Sequence, residues 1–169
     1  MAGNFSGGRA PQGTPDGTGV RVAVVCARFN DLITGRMLDG VGHALSAMGV
    51  ADDDVAVEWV PGAYELPLAA RALADRDDVD AVIALGCVIR GDTPHFDYVA
   101  GGAADGLLRA SMDTGVPVVF GVLTTENLDQ AMERSDVGGA DKGAEAAETA
   151  VEMVRLLQRV TGGGPLLRN

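Results

Sequence analysis

The chain has 169 residues, 47 % of them hydrophobic and 22 % charged, proportions that suit one globular domain with a full core. Its formal net charge is −11, with 13 basic against 24 acidic residues, so it lacks the broad basic surface that DNA or RNA binding requires. No apolar stretch reaches the length of a membrane span.

Residues 1–19 (MAGNFSGGRAPQGTPDGTG) are rich in Gly, Pro, Thr and Ser, lack an apolar signal core and read as a disordered tail. VRVAVVCA (20–27) is β-branched and apolar, the pattern of a buried strand. Leu32, Met37, Val41, Leu45 and Met48 recur at near-helical spacing, and Gly49 fits a helix stop. Asp52, Asp53 and Asp54 suit a solvated loop before a second strand, VAVEWV (55–60), which Pro61 and Gly62 close. ELPLAARALAD (65–75) predicts a helix with Pro67 in its first turn, where a missing N–H breaks no bond. AVIALGCVI (81–89) is a third strand, followed by a helix over 96–113 that Gly115 ends. VPVVFGVL (116–123) is the fourth strand. Thr124 to Asn127 reads as a helix start that LDQAMER continues. After the break DVGGA, an amphipathic helix spans 141–160, with Ala144, Ala147, Val151 and Val154 as its apolar stripe and Leu157 an imperfect extension. TGGG ends it, and 161–169 form a second tail around a domain of 20–160.

Strand and helix alternate four times, which implies a four-stranded parallel sheet between helical layers, a three-layer α/β/α domain. Ligands of such sheets bind beyond the carboxyl ends of the strands. The segments to weigh are therefore ARFN (27–30), PGAYELP (61–67), RGDTPH (90–95) and TTEN (124–127).

None of them carries a Gly-rich dinucleotide fingerprint, a Walker-type phosphate loop or a nucleophile elbow. Asp92 and Asp97 flank His95, but no second His or Cys joins them at metal-ligand spacing. Cys26 and Cys87 sit in apolar runs without a CxxC partner and read as buried reduced thiols of a cytoplasmic protein. Gly91, Asp92 and Thr93 make a short turn before a helix, a natural anion site, with Pro94 fixing the helix start. His95 then stands in the first turn, where the positive helix end favours a neutral imidazole. It is either a proton shuttle beside a bound anion or a residue that caps or packs. His43, the other histidine, suits the surface or the packing of the first helix. Phe29 is either a stacking platform for a flat heterocycle or a rim core residue, and Glu65 either accepts from ligand hydroxyls or offsets its helix dipole. Arg134 and Lys142, taken alone, are surface charges.

The motifs ARFN, PGAYELP, ALGCVIRGDTPHFDYV, FGVLTTEN, MERS and DKGAEAA, in this order and spacing, resemble the 6,7-dimethyl-8-ribityllumazine synthase family over about residues 20–160. The resemblance implies a flavodoxin-like subunit, a pentameric ring that can build an icosahedral shell, and small-molecule substrates. It also implies no metal or organic cofactor, no nucleic acid and no membrane partner. The implied reaction condenses 5-amino-6-(D-ribitylamino)uracil with 3,4-dihydroxy-2-butanone 4-phosphate in riboflavin biosynthesis. By the same resemblance Phe29 would stack on the pyrimidine, and Ala63, Tyr64 and Glu65 would line the site, with Glu65 on the ribityl hydroxyls. Cys87, Val88 and Ile89 would meet the pyrimidine edge through backbone groups. Asp92 and Thr93 would hold the phosphate through the turn, the Asp92 carboxylate pointing away, and His95 would carry the proton. Phe120, Arg134 and Lys142 would come from the neighbouring subunit, Arg134 gripping the phosphate. The compact stretch SDVGGAD resembles that of shell-forming members. The alternatives are a non-catalytic lumazine- or flavin-binding protein on the same scaffold and a related riboflavin-forming enzyme. His95 together with Arg134 favours the synthase.

Overall fold

The computed structural model of the chain describes Ala10 and residues 13–164, so parts of both expected tails lie outside the described residues. Four strands form one sheet: β1 (Val22–Ala27), β2 (Val55–Val60), β3 (Ala81–Ile89) and β4 (Val118–Thr125). Their spatial order is β2-β1-β3-β4, and every neighbouring pair is parallel. Five α-helices connect and cover them: α1 (Asp31–Ala47), α2 (Leu66–Ala74), α3 (His95–Thr114), α4 (Leu128–Arg134) and α5 (Lys142–Thr161).

The pleat turns successive side chains to opposite faces, and here both faces are covered, so the strands can be apolar throughout. Val22, Val24 and Cys26 of β1 pack with Ile33 and Met37 of α1 and with Ala147, Val151 and Val154 of α5. Ala23, Val25 and Ala27 pack on the other face with Leu66 and Ala70 of α2 and with Ala103 and Leu107 of α3. The expected three-layer α/β/α fold with a four-stranded parallel sheet is the observed one, with the strand order of flavodoxin-like proteins.

Several boundaries differ from the sequence-based expectation. The fourth strand runs two residues later than predicted, to Thr125, because Val88 and Ile89 of the long central strand pair with Thr124 and Thr125. The helix start moves accordingly to Asn127, whose side chain accepts from Gln130 N at 2.9 Å. In α5 the buried face centres on Gly143, Ala146, Ala147, Ala150, Val151 and Val154, while Ala144 and Leu157 are half-buried. Small residues mark that face because α5 lies directly on α1. The second strand is an edge, with Ala56, Val57, Glu58 and Trp59 all exposed. Within the stretch read as an N-terminal tail, residues 16–19 are held: Gly17 N donates to Met48 O at 2.8 Å. The Arg155 guanidinium also donates to the carbonyls of Asp16 at 2.8 Å and Thr18 at 2.6 Å.

Helices α1 and α5 cross in close backbone contact. A methyl group on Gly143 would collide with the Met37 carbonyl, a backbone atom that cannot swing aside. Gly143→Ala should therefore lower stability by about 1–3 kcal/mol, the range for overpacked cores. Gly101, on the exposed face of α3 with open space beside it, is the control: Gly101→Ala should leave stability unchanged or raise it by up to about 1 kcal/mol. Thermal unfolding of the two variants checks both; equal midpoints would refute the close-packing account.

Candidate active site

The strand order reverses between β1 and β3, and ligands of doubly wound sheets bind outside the strand ends at such a point. A cleft of about 730 Å³ opens there, lined from the exits of β1, β2 and β3 and from the first turns of α3.

At the β1 exit, Phe29 N donates to the Pro61 carbonyl at 3.0 Å, and the ring itself is 72 % exposed. Asn30 follows in the left-handed conformation (φ 63°), which Asn tolerates better than most residues. Its carbonyl accepts from Ile33 N and Thr34 N, and its Nδ2 donates to the Cys87 carbonyl at 2.9 Å. The β1 and β3 exits are thereby tied together. Within this chain the ring is therefore exposed on a braced backbone and is not part of the core.

At the β2 exit a 3₁₀ turn, Ala63–Glu65, leads into α2. Ala63 is buried, Tyr64 is 63 % exposed and Glu65 is exposed. The Tyr64 ring lies over α3 at Gly102, where an added methyl would stand 2.7 Å from Tyr64 Cε2.

At the β3 exit, Cys87 and Val88 are buried and Ile89 is half-buried. Pairing with β1 ends at Leu85, so this flank of β3 faces the cleft over its last residues. The turn 91–94 then reaches α3, with His95 as its first residue. His95 N lies 3.4 Å from Thr93 Oγ1, while the imidazole is exposed and has no hydrogen-bond partner among the described residues. Its side chain lines the cleft. Asp92 is exposed and lies outside the lining of the cleft.

Nine of the predicted residues thus meet at one cleft: Phe29, Ala63, Tyr64, Glu65, Cys87, Val88, Ile89, Thr93 and His95. Phe120, Arg134 and Lys142 do not join them. They line a separate hollow of about 600 Å³ along the outer edge of β4. Arg134 donates to the Gln130 carbonyl at 3.0 Å and lies 3.9 Å from Glu133; Lys142 pairs with Glu145 at 2.7 Å. The sequence reading missed Asn30 as a brace and Tyr98 and Val99 as lining residues. The latter two had a signal: they stand three and four places after His95, on its own helix face.

The thiols are not nucleophiles. Burial pushes Cys26 up to about 12 and Cys87 up to about 11, so both stay protonated near neutrality. Among the described residues no group of three His, Cys, Asp or Glu side chains could hold a metal ion.

Strand order, a cleft at its reversal, an exposed aromatic ring and a helix-start turn define a flavodoxin-like α/β protein with a cleft of small-ligand size at its strand ends. Over residues 19–158 the chain matches the family described as 6,7-dimethyl-8-ribityllumazine synthase, and it belongs to that family. It is accordingly an enzyme, a transferase of the lumazine synthase kind, in riboflavin biosynthesis.

The thiol assignment is testable directly. A thiol reagent at about pH 8 should modify neither cysteine in the folded protein and both after denaturation. Since the folded pKa values lie above the usual 9.0, their contribution to stability is level below about pH 9 and lost as pH climbs toward 11–12. Rapid labelling of the native protein would contradict the burial of both groups.

Proposed function

We propose that this chain condenses 5-amino-6-(D-ribitylamino)uracil with 3,4-dihydroxy-2-butanone 4-phosphate to give 6,7-dimethyl-8-ribityllumazine. The observation that carries this is the convergence of Phe29, Glu65, the 91–94 turn and an unpartnered His95 on one cleft of a chain in this family. The cleft volume of about 730 Å³ suits a ligand of this size, small-molecule sites running to roughly 300–1,000 Å³.

In this reading Phe29 stacks on the pyrimidine and Glu65 accepts from the ribityl hydroxyls. Backbone groups of Cys87, Val88 and Ile89 meet the edge of the ring. The phosphate sits on the N–H groups of the turn at the start of α3, with Asp92 and Thr93 contributing through the backbone. The primary amine attacks the ketone, and loss of water leaves an imine. The C3 proton is then removed and phosphate leaves from C4; the enol so formed tautomerises to a ketone at C3, and the ribitylamino nitrogen closes the ring on that carbon with loss of a second water. His95 moves protons at these steps. Amine and ketone react readily once aligned, so proximity supplies much of the acceleration and proton transfer adds roughly 10²–10⁴-fold.

The reading includes a pentameric ring in the cytoplasm. Two hollows on one chain support it: the cleft is lined by His95 and by no Lys or Arg, while the hollow at the β4 edge is lined by Arg134 and Lys142 and by no His. A head-to-tail ring brings one of each together at every interface. Arg134 then grips the phosphate of the neighbour, as a guanidinium fits that anion in two-point contact. Phe120 and Lys142 face the same shared site. We further read the compact 135–141 connection as suited to a shell of pentamers. Its support is the pair of bonds from Gly139 N and Asp141 N to the Asp136 carbonyl, at 2.9 and 3.0 Å.

Mixing the protein with both substrates should raise the absorbance of the lumazine; no product would refute the reading. His95→Ala and Arg134→Ala should each be slow, and coexpressed they should regain activity. With random mixing about a quarter of interfaces carry both intact residues. Verified mixed rings without that gain would refute the shared site. Light scattering should find particles larger than pentamers, and pentamers alone would refute the shell.

A further inference from the structure

Arg90 follows the last residue of β3, one place before the turn that leads to His95. Its backbone N–H donates to the Thr125 carbonyl at 2.9 Å, adding a rung to the β3–β4 ladder. Its guanidinium carbon lies 4.3 Å from the centroid of the Phe96 ring. Nε donates to Glu126 Oε2 at 2.9 Å, and Nη1 reaches Asp97 Oδ1 at 3.4 Å. Phe96 and Asp97 belong to the first turn of α3, whereas Glu126 stands just past β4. One planar cation therefore spans two elements, and the 91–94 turn runs between its anchors. The turn's own bonds are few: His95 N to Thr93 Oγ1 at 3.4 Å and Asp97 N to Pro94 O at 3.0 Å.

We propose that Arg90 is a positioning residue: by bridging Glu126 to the first turn of α3 and lying on Phe96, it fixes the 91–94 turn and His95 against the cleft. The proposal rests on the lumazine-forming reading above. Arg90 is outside the lining of the cleft, and its charge faces two carboxylates, so it anchors the turn and does not grip the phosphate. The side chains of Arg90, Asp97 and Glu126 are 41, 65 and 61 % exposed, and such ion pairs add little to fold stability. What they govern is placement, and a misplacement of about 1 Å lowers rates by as much as roughly 100-fold. Lysine is no substitute, since a point charge cannot lie flat on a ring and fork to two carboxylates.

The test compares Arg90→Ala and Arg90→Lys with wild type as assembled protein. The control is Arg76→Ala, which removes an exposed pair with Asp78 ahead of β3, away from the cleft. Hydrogen exchange of the 91–97 amides should quicken about tenfold in both Arg90 variants, with kcat falling roughly tenfold. The KM for the butanone phosphate should rise, while that for the pyrimidine stays within about twofold, because Phe29 and Glu65 stand on other strand exits. Arg76→Ala should match wild type. Unchanged exchange would overturn the proposal, and so would faster exchange with unchanged kcat. Full rescue by lysine would overturn it too, by making the charge alone responsible. A wild-type protein that forms no lumazine refutes the functional reading instead, and the exchange comparison still decides whether Arg90 holds the turn.

Discussion

A strand buried on both faces has to satisfy every backbone N–H and C=O along its length. β3 does so with β1 as far as Leu85 and with β4 as far as Ile89. Past Leu85 the flank that β1 vacates would be left open. Asn30 closes part of it by reaching the Cys87 carbonyl, which requires its own left-handed backbone. The same bend leaves Phe29 in solvent with its N–H on Pro61. On the other flank β4 keeps pace to Thr125, and Arg90 adds one rung more. The exposed Phe29 ring, the long fourth strand and the turn before His95 are all consequences of finishing this one strand.

What the sequence made legible follows from the same physics. The bounds 55–60 and 81–89 were readable because Asp, Pro or Arg flanks each mainly apolar run and marks where the strand begins and ends. The end of β4 was not, because Thr124 and Thr125 are polar and their strand state comes from pairing with Val88 and Ile89. α5 was legible as a helix, and Ala147, Val151 and Val154 of its expected stripe are buried, while Ala144 and Leu157 are only half-buried. Contact with α1 selects Gly143 and Ala146, which hydrophobicity scarcely distinguishes from Ala144. At the site, Phe29, Glu65 and His95 were each ambiguous alone; the fold brings all three to one cleft, which no local pattern in the sequence shows. Asn30 and Arg90 were invisible as braces because their partners, Cys87 and Glu126, lie 57 and 36 residues away in the chain.

The charge distribution fits an enzyme for a small anion without a basic surface. A net charge of −11 is spread over the chain, and Arg134 and Lys142 sit among acids of their own helices. Beyond roughly 8–10 Å salt screens such exposed charges, so the far field matters little to a bound phosphate. Oriented N–H groups at a helix start act at contact distance and need no net positive charge. In the proposed reading, specificity for the anion is a matter of local geometry, which places weight on whatever holds the 91–94 turn.

The second strand has a consequence for spectroscopy. The chain's one tryptophan, Trp59, stands on this edge, 47 % exposed, outside both core clusters. Indole emission therefore answers to whatever covers the flank of β2 and hardly at all to packing between the sheet and its helices. Far-UV circular dichroism answers to the helices and the sheet. A dilution series followed by both signals separates two events that a single optical probe would merge: the uncovering of the sheet's margin and the melting of the domain behind it.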